Sequence, residues 1–164
     1  MPDIRVVDIL IPSPVSVTFD WLQRPDGMLD ETQELASAVS VALATDARAA
    51  PDDALPGLDD EDRRGWWGDI DAAELWQGWP VGSKLWLLRR AKITDVGARE
   101  GATVAIIERY IRACLKPFLD AKVASRFAVT VERAGASQIS GAIVMYRGPL
   151  PAVALRYQAL WDEI

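Results

Sequence analysis

"RFAVTVERAGASQISGAIVMYR", residues 126–147, decides the fold. Phe127, Val129 and Val131 alternate along its first part. A glycine-bearing stretch then interrupts, and Ile139, Ile143 and Met145 answer. A repeat of two is the strand repeat, so the stretch reads as an antiparallel hairpin. Upstream, Thr94 is placed to cap a long helix running to about Lys122, with Asp95 near its positive end. Val104, Ile107, Ile111, Leu115 and Phe118 share one face of that helix, with Cys114 beside them. Pro117 is expected to kink or interrupt it near its end. Downstream, "AVALRYQALWDEI" (152–164) leaves two readings open. Val153, Leu155 and Tyr157 alternate like a strand, whereas "YQALWDEI" could form a helical turn.

Further from the hairpin, "IRVVDILI" (4–11) and "VSVTFDW" (15–21) read as two strands joined through "PSP". "RPDG" (24–27) is a turn, with Pro25 fixing φ and Gly27 permitting a positive one. A helix is expected from about Glu31 to Thr45, capped by Asp30 with Gln33 reaching back. Leu35, Val39 and Leu43, with Ala38 and Ala42, give it one apolar stripe. Ser83 is expected to cap a short helix, "KLWLLRRA", with Leu85 and Leu88 facing inward. Between the two, residues 46–82 lose all periodicity and are dense in Pro, Gly and Asp. A loop of that length is usually functional or disordered. Trp66, Trp67, Trp76 and Trp79 argue against disorder, which is poor in aromatics, and for an ordered excursion pinned by its rings. No internal repeat or linker divides the chain. Residues 1–164 are therefore expected to form a single α+β domain, a small antiparallel sheet packed with two to three helices. The loop at 46–82 and a C-terminal edge or extension at 151–164 complete it.

Composition removes several function classes. The chain has 164 residues, half of them apolar, yet no apolar run approaches the roughly 20 a membrane helix needs. "MPDIRVVDIL" lacks the pattern of a secretory signal. Cys114 is the single cysteine, so no internal disulfide is possible, in keeping with a reducing cytosol. A net charge of −6 argues against non-specific nucleic-acid binding. With no histidine, Ser-His-Asp and Cys-His chemistry and His-ligated zinc are excluded. "PDDALPGLDDED" lacks the spacing of a calcium loop, and no phosphate-cradling glycine motif occurs. Neither cofactor nor metal is implied. Cys114, on an apolar helix face, reads as core.

The candidate site is "DEDRRGWWGD" (60–69). Neighbouring residues of an extended segment point to opposite sides. One of Trp66 and Trp67 is therefore expected to anchor the loop while the other is at least partly exposed. Arg63 and Arg64 match the Trp and Arg bias of interface hot spots, and one of them should ion-pair with a loop carboxylate. The competing reading buries both rings under the loop. Carboxylates beside aromatics, Glu61 and Asp69 among them, also suggest a glycosidase, although nothing sets one carboxyl apart as the acid. At the C-terminus, Val153, Leu155, Tyr157 and Trp161 carry few charges among them. They suit a sheet edge that adds a partner strand while contributing little to the core.

Three blocks carry a resemblance: "LATDARA" (43–49), "DDEDRRGWWGD" (59–69) and "GSKLWLLRRAKIT" (82–94). They resemble the signature blocks of the Mu-type phage baseplate family, small tail proteins of contractile-tailed bacteriophages and prophages. The resemblance implies a structural role in the virion tail baseplate, after synthesis in the host cytoplasm. It implies partners among the other wedge and tail proteins and the sheath, as for the small sheath-initiating wedge protein of T4-like phages and its type VI secretion counterpart. Such relatives carry an acidic–x–Arg element after the first helix that holds partner helices; Asp46 and Arg48 occupy that place, Arg48 expected to be tethered near the end of that helix with Asp46 as its partner or capping that region. Some of the wider group have been described as lysozyme-like, which keeps the cell-wall glycosidase as the alternative.

Overall fold

A computed structural model describes residues 6–10, 17–21, 24–28, 34–56, 61–75, 78, 80–88, 102–133 and 138–160. The hairpin forms as its alternation requires. β3 (Arg126–Arg133) and β4 (Gln138–Arg147) pair antiparallel, with Phe127 opposite Met145 and Val129 opposite Ile143. A third strand, β5 (Leu150–Leu160), returns along the other side of β4, so the sheet order is β3-β4-β5. The alternation at 153–157 therefore outweighs the helical reading of "YQALWDEI" as far as Leu160. A register shift interrupts the β4–β5 ladder between Met145 and Tyr146.

Ile139, Gly141, Ile143 and Met145 all turn to the buried face of β4. Helix α3 (Ala102–Asp120) lays Ile107, Ile111, Cys114, Leu115 and Phe118 on that face, and α1 (Glu34–Ala44) adds Leu35, Val39 and Ala42. Val104, expected on the same stripe, is half-buried, and Thr103 takes the buried place beside it. Ile111, Leu115, Ile143, Met145 and Val39 are the largest fully enclosed side chains. Each contributes about 1.5–3 kcal/mol by leaving water, before the entropy of ordering it is set against that. Val153, opposite Met145, is buried in the same core. This corrects the expectation that the C-terminal segment contributes little: as the third strand of a meander, β5 sends Val153 to the covered face.

Pro117 does not interrupt α3, which continues to Asp120. Proline removes the N–H that would bond Ala113, but Ala113 is exposed and the position lies in the last turn, so little is lost. The helix ends in a left-handed cap. Lys122 has φ 57, its N–H donates to Leu119 O at 2.9 Å, and Val123 N–H donates to Phe118 O at 2.9 Å. That pairing is a Schellman motif with lysine where glycine is usual.

Two shorter strands, β1 (Val6–Leu10) and β2 (Val17–Trp21), form a separate antiparallel pair, Val6 opposite Trp21 and Leu10 opposite Val17. The expected small sheet is thus accompanied by a second, two-stranded one. The turn at 24–27 closes with Gly27 N–H on Arg24 O and φ 82 at Gly27. The expected caps Asp30 and Thr94, with Gln33 and Asp95, lie outside the described residues, as do Trp76, Trp79 and Trp161.

Candidate interaction loop

Where α1 ends, Thr45 N–H and its hydroxyl both bond Val41 O, and the chain runs out extended. It meets Ser83 in a parallel bridge centred on Asp46. Ala47 N–H donates to Ser83 O at 3.0 Å, and Ser83 N–H donates to Thr45 O at 2.8 Å. Ser83, the expected cap of the following turn, turns its hydroxyl back to α1. Its hydroxyl donates to Leu43 O at 2.9 Å, supplying a partner for an end-of-helix carbonyl. Gly82 makes the approach possible. Its φ is 122, and a Cβ there would stand 2.6 Å from Ala47 N. The two ends of the 46–82 excursion are thereby sewn together.

Beneath this bridge lies a tryptophan from outside the excursion. Trp86, in the 3-10 turn Lys84–Leu88, is 4% exposed and donates its indole N–H to Ala47 O at 2.8 Å. The Arg64 guanidinium stacks over its ring, 4.6 Å from the centroid, and binds the Asp46 carboxylate at 2.5 Å. Arg64 itself has φ 50, a left-handed backbone that only a well-determined surrounding holds in a non-glycine residue. Arg63 points elsewhere, donating to the carbonyls of Ala50 and Pro51, while its own carbonyl accepts Ala49 N–H at 2.9 Å. Asp53 accepts from Ala50 N–H at 2.7 Å and from the Lys84 ammonium at 2.5 Å. The Lys84 hydrogen bond holds the Asp53 carboxyl below its usual pKa.

The tandem tryptophans divide their work. Trp66 is half-buried, its ring lying on Gly68 so closely that a Cβ there would sit 2.4 Å from it. Trp67 opens the 3-10 turn Trp67–Asp69 and is 78% exposed, its ring centroid 5.4 Å from that of Trp66. Ile70 follows three residues later, 84% exposed. In a 3-10 turn such residues eclipse, so the two present one apolar knob. The turn is held by Asp69, whose carboxylate accepts Val81 N–H at 3.2 Å, and is followed by the short helix α2 (Ala72–Leu75).

One ring outward and an arginine on a carboxylate are both found, but the partner of Asp46 is Arg64. Arg48 is exposed, and the tether expected between Asp46 and Arg48 is not formed. Arg64, stacked on Trp86, occupies that carboxylate instead. Among the described residues the excursion is held by backbone groups, ion pairs and Trp86 as well as by the half-buried Trp66; the pinning expected of Trp76 and Trp79 lies outside them. Gly82, Lys84, Asp53 and Trp86 were absent from the sequence-based candidates. A glycine directly before the polar Ser83, at the foot of an aperiodic stretch, was the available signal. Of the carboxylates a hydrolase would need, Glu61 is exposed and Asp69 is engaged by Val81; Asp59 and Asp60 lie outside the described residues. Leu155 and Tyr157 stand opposite Ile143 and Gly141 in register, on a strand whose outer edge has no strand partner among the described residues. Among those residues no group of three His, Cys, Asp or Glu could hold a metal ion, and no helix is long and apolar enough to cross a membrane.

Comparison with known proteins bears on this loop. A family model described as "Phage protein GP46" matches residues 35–149, from α1 through β4. The "Baseplate protein gp46" of Escherichia phage Mu is 48% identical over 60 residues, which is 37% of this chain and 37% of that protein. The aligned stretch thus spans little more than a third of the relative's length. Since the family model takes in both sides of the sewn loop and most of the core, the chain belongs to the phage protein GP46 family, the Mu-type baseplate family that its sequence blocks resemble.

Proposed function

We propose that this protein is a structural component of a contractile phage or prophage tail baseplate, binding neighbouring wedge and tail proteins and helping to initiate the sheath. The observation that carries the reading is the use to which the three resembling blocks are put. Gly82, Ser83 and Trp86, with Asp46 and Arg64, close and brace the excursion, and Trp67 is what it holds up to solvent. A tryptophan so exposed on so firmly tied a loop suits recognition of a partner better than support of its own fold. Glu61 is exposed and the Asp69 carboxylate is occupied by Val81 N–H, so no observation favours hydrolysis. The edge of β5 that has no strand partner among the described residues, with Leu155 and Tyr157 along that strand, suits pairing with a strand of the sheath or a wedge protein.

The test is genetic and biochemical together. Inactivating the gene in the phage or prophage that carries it should leave heads without sheathed tails, and the wild-type gene should restore them. Purified protein should leave peptidoglycan suspensions turbid. Normal tails without the gene would end the structural reading. Clearing of peptidoglycan that disappears in Glu61→Gln or Asp69→Asn would replace it with the glycosidase.

A further inference from the structure

Charge is unevenly divided along the chain. Residues 46–74 hold ten Asp and Glu against three Arg, whereas residues 102–160 hold eight Arg and Lys against three Asp and Glu. Two of the three arginines of the acidic part are engaged within it, Arg63 on backbone carbonyls and Arg64 on Asp46, while Arg48 is exposed. Along the segment that carries the Trp67–Ile70 knob, the exposed charges Glu61, Asp62, Asp71 and Glu74 are negative and outnumber the one exposed cation beside it, Arg48, which packs against Gly65.

A complementary surface lies at the far end of α1. There an open cavity of about 730 Å³ has Leu119, Val123 and Ala124 in its walls and Lys122 and Arg147 at its rim. Leu150, 72% exposed and opposite Arg147 in the β4–β5 ladder, extends the apolar surface beside it. Arg147 also binds Glu34, the first residue of α1, at 3.0 Å, whereas the excursion is sewn on just beyond the last residue of that helix. Eleven residues of helix separate the two sites, about 16 Å along its axis. A mainly acidic apolar knob thus stands toward one end of α1, and toward the other an apolar hollow that carries the Lys122 ammonium, with Arg147 shared with Glu34.

Lys122 adds a second, independent indication. It occupies the left-handed cap position, where glycine removes the strain of a side chain. Lysine there is a poor choice for the helix, but it sets an exposed ammonium on the rim of the cavity.

From these observations we infer that the protein associates head to tail with further copies of itself, the Trp67–Ile70 knob of one seated in the Leu119–Val123 hollow of the next. Because knob and hollow are different surfaces, the contact is heterologous and builds rings or open chains rather than a two-fold dimer. This goes beyond the baseplate reading and does not depend on it.

Sedimentation velocity of the purified full chain over a range of concentrations tests the inference. Species larger than a dimer should grow with concentration and recede in about 0.5 M salt, where exposed charges are screened. Trp67→Ala with Ile70→Ala should weaken association by about thirtyfold or more, the range of a tryptophan hot spot. Lys122→Gly with Leu150→Asp should weaken it comparably. Lys122→Gly alone should raise thermal stability while reducing association, which separates the rim charge from any loss of fold. The decisive mixture combines the knob-deficient and hollow-deficient proteins. Each alone should be monomeric, and together they should form dimers and nothing larger, since one intact knob and one intact hollow remain. A wild type that stays monomeric at the highest concentrations overturns the inference. So does a mixture that yields no dimer, or association that survives the loss of the knob.

Discussion

At the scale of residues, Arg64 has most to lose by substitution. It joins an exposed loop to a buried ring and a half-exposed carboxylate, each contact modest alone. Arg64→Ala should destabilise the protein by about 1–2 kcal/mol, read as a melting-temperature fall of about 2–8 °C. Arg64→Lys should recover only part of that, because an ammonium cannot lie flat on Trp86 while holding Asp46. A double-mutant cycle with Asp46→Asn should return a coupling above about 0.5 kcal/mol; strict additivity would mean that the pair is incidental. Cys114 makes the opposite case. Its thiol faces Ala42 O at 3.3 Å, and burial pushes its pKa up to about 12. A raised value keeps the folded thiol neutral, so its contribution is complete below the unfolded pKa of about 9 and declines as pH rises toward 12. Iodoacetamide at pH 8 should leave the native protein unmodified and label it readily after denaturation. Its core position was legible from sequence, because a single cysteine on an apolar helical stripe has few alternatives. The partner of Asp46 was not legible, since a cation eighteen residues away becomes a neighbour only when the loop folds back over Trp86.

At the scale of elements, the bridge between residues 45–47 and 83 sets how the excursion responds to change. Gly82→Ala should cost more than about 2 kcal/mol, for it meets both a positive φ and a backbone 2.6 Å away. Limited proteolysis should register this as faster cleavage within 46–82, with α3 and the larger sheet still protected. Acid should loosen the same region. The Asp53 carboxyl is held below its usual value by Lys84, so the stability it supplies is present above the unfolded pKa of about 4 and is lost as pH falls through the lower folded value. Hydrogen exchange at Ala50 N–H, which bonds that carboxylate, should quicken in that window more than exchange in α3 once corrected for intrinsic rates. A Lys84→Met variant should lose the pH dependence; its persistence would assign the effect to another group. The helices and the hairpin were readable because a repeat of 3.6 or 2 is written in consecutive residues. The loop's closure was not, because a parallel bridge joining positions 46 and 83 leaves no periodic trace.

For the whole molecule, the main revision concerns the C-terminal strand. With Val153 in the core and β5 paired along β4, deleting residues 151–164 should uncover the fully buried Ile143 and Met145. The truncated chain should lose its cooperative thermal transition, followed by near-UV circular dichroism. A truncated domain that melts as sharply as the full chain would return the segment to the status of an extension. β5 does lie at the edge of its sheet, as expected; what the sequence could not supply is that Val153 faces the side of that sheet covered by α1 and α3. The sewn loop also has a mechanical meaning. Asp46 and Ser83 run parallel, so the chain leaves the bridge from one end and re-enters it at the other. Tension along these segments, drawn from the tip at Trp67, would slide the two past each other instead of peeling them apart. The bonds of Ala47 and Ser83 then share the load as a lap joint does, with Trp86 and Arg64 clamped across the seam. A pull on the exposed knob would be handed to the end of α1 as a single force, and the joint would yield all at once or not at all.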